Sequence, residues 1–86
     1  MGQITGGLAA IAGDVYEYDA SWAEHPAGLL WTATVLHRRK VALRPSGVIV
    51  VTADDLENMR QIVHDLVEQS IRKMVATQRK PNDDRG

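Results

Sequence analysis

With 86 residues, the chain makes one small domain, able to bury only about 60% of its unfolded surface. A net charge of −1 gives it no strong overall field toward nucleic acid or anionic lipid. The absence of cysteine excludes disulfides, thiol catalysis and thiolate metal sites.

Residues 1–13 are rich in Gly and Ala, with Ile4, Leu8 and Ile11 as the sizeable apolar groups. Glycine costs a helix about 1 kcal/mol relative to Ala, so this stretch is expected to be a flexible arm that orders only against a neighbour. It lacks the basic start and long apolar run of a signal peptide. No segment reaches the length of a membrane span, and a soluble cytoplasmic protein is expected.

From Val15 to Trp22 the pattern alternates, with Tyr16, Tyr18, Ala20 and Trp22 on one face and Glu17, Asp19 and Ser21 on the other. Period two with an aromatic side predicts a half-buried strand. Pro26 and Gly28 mark a turn. A second strand follows from Leu29 to about His37, with Leu29, Trp31, Ala33 and Val35 sharing a face. Beyond it the basic segment Arg38-Arg39-Lys40 interrupts the pattern, which resumes at Val41. Either the strand bends and runs on to Leu43, or 38–46 is one long loop. The bent strand is preferred, because long loops are uncommon in small domains.

Val48 to Val51 is an unbroken β-branched run, suited to a strand covered on both faces or sitting centrally. It enters a helix almost directly. Thr52 or Asp54 can cap that helix, with Asp55 or Glu57 completing a capping box. At helical spacing Leu56, Met59, Ile62, Val63, Leu66, Val67, Ile71 and Met74 gather on one broad face. Residues 77–86 read as a disordered polar tail. The expected fold is α+β: a three- or four-stranded antiparallel sheet packed by one C-terminal amphipathic helix, within a domain spanning 14–76.

Little in the chain points to catalysis. His25, His37 and His64 have no metal-ligand spacing, and the serines lack a nucleophile-elbow context. Asp54, Asp55 and Glu57 are better read as helix-start chemistry than as an acid/base pair. Neither a cofactor nor a small-molecule substrate is expected. Two surfaces stand out instead. His37, Arg38, Arg39, Lys40 and Arg44 concentrate positive charge on a hairpin or loop. Such a projection can contact a protein partner or track nucleic-acid phosphates, although charged residues also serve to protect sheet edges. The outer part of the helix face, Ile71, Met74 and Val75, is expected to project past the sheet and to form a homodimer interface.

The order strand, turn, strand, strand, helix resembles the HicB-like antitoxin domain. Three segments carry the resemblance: Val15-Tyr16-Glu17-Tyr18 as the opening strand, Gly28 to Val35 as the second, and Gly47 to Glu57 as the third strand with its acidic-capped helix. The basic segment 37–47 replaces that family's acidic, Pro-Gly-containing loop. Autoregulatory DNA binding through a ribbon-helix-helix or helix-turn-helix extension is not expected. The resemblance implies a non-catalytic, homodimeric protein-interaction module that binds and neutralises a protein partner. A small nucleic-acid-binding protein using the basic hairpin 37–44 is the alternative.

Overall fold

The computed structural model describes residues 2–79. In chain order it has β1 (Gly2–Ile11), β2 (Asp14–His25), β3 (Gly28–His37), β4 (Lys40–Leu43), β5 (Ser46–Ile49), α1 (Ala53–Leu56) and α2 (Met59–Arg79). The strands form one sheet in the order β1-β2-β3-β4, every pairing antiparallel, with β5 also on β3. β4 pairs with Val35–His37 of β3, and β5 pairs with Leu29–Thr32 of the same strand. Between them the Pro45 carbonyl accepts from the Ala33 N–H at 2.9 Å. β4 and β5 thus act as one edge strand broken at Arg44-Pro45, where proline lacks the donor that a continuous ladder needs. The α+β class, the antiparallel sheet and the packed C-terminal helix are as expected. No helix among the described residues is long and apolar enough to cross a membrane.

Alternation decides which face is buried. Tyr16, Tyr18, Ala20 and Trp22 of β2 and Leu29, Trp31, Ala33 and Val35 of β3 all lie in the core. The register sets Trp22 opposite Trp31, Ala20 opposite Ala33 and Tyr18 opposite Val35. From α2 come Met59, Val63, Val67 and Ile71, a four-residue spacing that keeps them on one stripe. Val35, Val63, Val67 and Ile71 are the largest side chains fully withdrawn from solvent, each worth about 1.5–3 kcal/mol of apolar burial. The helix starts near β1, where Arg60 Nη1 donates to the Gln3 carbonyl at 3.1 Å. It crosses β2 at His64 and Tyr18. Its last turns border a cleft lined by Leu43 and Pro45.

Several expectations are corrected. Residues 2–11 are not a flexible arm but the edge strand β1, contributing Ile4, Ala9 and Ile11 to the core. Its glycines make room for rings on the adjacent strand: a Cβ on Gly2 would strike the Trp22 indole, and one on Gly7 the Tyr18 ring. Aromatic cover of this kind restores the apolar contact a bare glycine forfeits. Gly6, at φ +68°, absorbs the register shift between Ile4 and Gly7.

The segment 38–46 is neither a bent strand nor a loop. Arg38 and Arg39 form a two-residue turn that folds β4 back onto β3. The β-branched run is likewise neither central nor covered on both faces: β5 lies at the sheet edge, leaving Val48 exposed and Val50 86% exposed. Thr52 does cap a helix, with the predicted capping box to Asp55, but that helix is the single turn α1. Leu56, expected on the buried face, is exposed because the chain turns at Glu57-Asn58 before α2 begins. At the other end Thr77 to Arg79 continue α2, and the rest of the predicted tail, 80–86, lies outside the described residues.

Candidate functional site

The basic residues singled out by sequence fall into two places. Arg38, Arg39 and Lys40 are exposed together at the β3–β4 tip. Arg44 lies at the opposite end of β4. There it borders a shallow groove on the uncovered face of the sheet, beside Thr5, Asp19, Ser21, Thr34 and Ser46. His37 closes the hairpin from below. Its ring is half-buried and stacks on Tyr16, centroids 4.6 Å apart. Its Nε2 is 3.5 Å from the Asp14 carboxylate, without hydrogen-bond geometry. The tip is therefore anchored by a stacked aromatic pair at its base.

The turn itself is unusual. Arg38 and Arg39 have φ of 55° and 69°, both in the left-handed region. Positive φ at both central residues is the mark of the type I′ hairpin turn, which strongly prefers Asn-Gly. An L-residue other than Gly pays ~1–2 kcal/mol to sit there. Nothing in the fold offsets that cost through an ion pair. The close acid–base side-chain contacts among the described residues are His37–Asp14, His64–Glu68 and Arg72–Glu68, none of which engages the three tip cations.

The predicted dimer interface is not a projecting patch. Ile71 is wholly buried in the core of the single chain, and Met74 and Val75 are half-buried against that core. The broken β4/β5 strand fills the fourth position of the sheet, within the expected three or four strands. It brings Leu43 and Pro45 under the last turns of α2, where they form a cleft with Ser70, Lys73 and Met74.

Sequence reasoning missed one polar array. Tyr18, in the core face of β2, shares a 2.6 Å hydrogen bond with His64 Nδ1 on α2. His64 Nε2 is 3.5 Å from Glu68, and Glu68 is 3.8 Å from Arg72. Burial pushes the Tyr18 hydroxyl above its ordinary pKa; the Arg60 charge opposes this, and Glu68 and Asp65 add to it. Tyr18 thus stays a neutral phenol at physiological pH. Potential ligand atoms of His64, Asp65 and Glu68 lie within 4.8 Å of one another, close enough to hold a cation. Each already has a protein partner, however: Tyr18 for His64, Gln61 for Asp65 at 2.9 Å, and Arg72 for Glu68. The array reads as a satisfied polar seam between helix and sheet. A helical wheel shows His64 beside Val63 and Val67, but only the β2 register shows that Tyr18 lies above it.

Of the acidic residues read as helix-start chemistry, Asp54 and Asp55 lie in the first turn of α1, whereas Glu57 is its C-cap. Asp55 accepts from the Thr52 N–H at 2.9 Å, while the Thr52 hydroxyl accepts from the Asp55 N–H at 3.3 Å. No family model, no curated protein and no solved structure matches this chain.

Proposed function

We propose that this protein is a non-catalytic interaction module that binds an acidic surface of a partner protein through the Arg38-Arg39-Lys40 tip. The observation that carries the reading is the pair of arginines held at left-handed φ on an exposed turn, with no ion pair to the rest of the described fold. Strained backbone of this kind is held in place by the surrounding fold and clusters at functional sites. Here two guanidinium groups stand where turn chemistry alone would place Asn-Gly. A compact tip of cations suits an acidic patch or pocket, and Arg is the side chain best fitted to bidentate carboxylate pairing. The resemblance to HicB-like domains adds the form such binding takes: occlusion, and so neutralisation, of a partner protein in the cytoplasm.

Nucleic acid is the less favoured ligand. Tracking a phosphate backbone needs cations in a row, but Arg44 lies a strand's length from the tip. On the open sheet face Arg44 instead shares its groove with the exposed carboxylate of Asp19. Fluorescence anisotropy with a polyglutamate peptide and with mixed-sequence duplex DNA and single-stranded RNA, across a salt series, tests the reading. The peptide is expected to bind more tightly at every salt concentration, and R38A/R39A/K40A to abolish that binding. Preference for DNA or RNA, or unchanged peptide binding by the triple variant, would falsify the proposal.

A further inference from the structure

The two edges of the sheet are built differently. The β4/β5 edge is split into strands of four residues, carries Lys40 and Arg44, and is interrupted by Pro45. Short segments, cations and proline are the devices that keep one sheet from adding to another. β1 is a ten-residue edge strand with no charged residue and no proline. Its first half is guarded, since Gly6 breaks the register and Arg60 occupies the Gln3 carbonyl. Gly7 to Ile11 has no such guard.

The backbone groups that this segment offers follow from its register. The two-residue turn at Ala12-Gly13, with φ of 54° and 85°, closes on the pair Ile11 and Asp14. A hairpin of that length closes on residues that exchange both backbone hydrogen bonds, and the pattern then alternates. Gly7 and Ala9 therefore bond to β2, while Leu8 and Ala10 turn their N–H and C=O groups away from it.

We infer that Gly7 to Ile11 pairs with the same segment of a second copy of this chain, antiparallel about a two-fold axis through Ala9. Leu8 and Ala10 of one copy then exchange backbone hydrogen bonds with Ala10 and Leu8 of the other. The occupant follows from the chemistry. Edge pairing needs an extended, uncharged, unguarded strand, and among the described strands β1 is the one that offers it. Under the two-fold it is its own complement.

The side chains agree with that register. At the axis Ala9 meets Ala9, small enough for close backbone approach. On the core face Ile11 falls opposite Gly7 of the second copy, where no side chain competes with the Tyr18 ring. On the open face Leu8, 60% exposed in the single chain, stands beside the seam and gains Ala10 of the second copy as its cross-strand neighbour. A ribbon this short lies at the small end of interface sizes, so the dimer is concentration-dependent. Its formation does not depend on what the hairpin tip binds.

Sedimentation equilibrium of the wild-type chain, Leu8→Lys and Ala10→Pro from low to high micromolar concentration tests the inference. Circular dichroism and tryptophan fluorescence report that each variant is folded. Leu8 is exposed, so Leu8→Lys is expected to keep the fold even if Ala10→Pro does not. The wild type is expected to double its apparent mass as concentration rises, and folded variants to stay monomeric. Ala9→Cys, in a chain with no other cysteine, is expected to form a covalent dimer on oxidation, because facing Cα atoms of a non-hydrogen-bonded antiparallel pair lie about 4.5 Å apart. A wild-type monomer at high micromolar concentration overturns the inference. So does a dimer that the folded variants retain, or one whose Ala9→Cys form fails to cross-link.

Discussion

Replacing the tip dipeptide by the one its geometry prefers separates strain from function. In R38N/R39G, Asn takes the first left-handed position, which it tolerates well, and Gly takes the second at no steric cost. The φ values of 55° and 69° place both arginines in a region that costs an ordinary L-residue ~1–2 kcal/mol. Gly returns about 0.5–1 kcal/mol of that through the greater freedom of the unfolded chain, and Asn still carries part of the left-handed penalty. The net expectation is a gain of about 1–2 kcal/mol. For a domain of this size that raises the Tm by roughly 5–15 °C. Neither arginine makes an ion pair within the described fold, so no contact loss offsets the gain. Urea unfolding followed by tryptophan fluorescence measures it directly, with Trp22 and Trp31 both in the core. The same variant should lose most of its affinity for polyglutamate. A variant no more stable than wild type refutes the claim that the tip is strained, and with it the main support for reading the tip as functional.

The core assignments make a paired prediction. Ile71→Ala should cost about 2–5 kcal/mol, while Leu56→Ala should stay within about 0.5 kcal/mol; comparable costs in urea unfolding would mean that the assignment of core and surface is wrong. Gly7→Val drives a side chain into the Tyr18 ring and should destabilise by about 1–3 kcal/mol, with an altered tyrosine near-ultraviolet signal; wild-type stability would remove the case for aromatic cover. Tyr18→Phe tests the seam through pH. The folded pKa of Tyr18 is raised, so the unfolded chain loses this proton first. Its stabilising contribution is therefore complete below the unfolded value of about 10 and is lost as pH rises through the folded one. Wild type should lose stability above that pH faster than Tyr18→Phe, and parallel Tm–pH curves would count against a buried neutral phenol.

The parts of the fold that were legible are those coded by local period. Tyr16-Tyr18-Ala20-Trp22 announces β2 because alternation and burial coincide, and the helix stripe and Thr52 cap are local in the same sense. β1 was not legible, because its glycines acquire meaning only from Trp22 and Tyr18 on the adjacent strand. Taken one at a time, they argue for a loose chain. The Arg38-Arg39 turn was missed since neither residue belongs to the ordinary turn vocabulary; its conformation follows from the pairing of His37 with Lys40. Val48 to Val51 shows the limit of composition, since a β-branched run suits a central strand and an edge strand equally well. The Tyr18–His64 bond joins residues 46 positions apart. It depends on the β2 register and the α2 phase together, which no single segment encodes. Of the candidate site, the cations were legible and their grouping was not, because it is the extended strand β4 that sets Arg44 apart from the other three.

The tip and the β1 edge make compatible demands. In strand order the β3–β4 tip lies two to three strands from β1. Antiparallel pairing about Ala9 carries the two tips to opposite sides of the joint sheet. Six strand spacings separate them laterally, roughly 29 Å, more than three Debye lengths at physiological ionic strength. In a dimer so paired the cations of the two copies would not oppose association, and a partner bound at one tip would leave the other open. Antiparallel pairing also points the tips in opposite directions, so a single compact partner does not bridge them. Avidity arises only for a partner that presents its acidic surface more than once. In the proposed assembly the sheet edge would set how many sites are offered and how they face, while the strained turn would set what each site recognises.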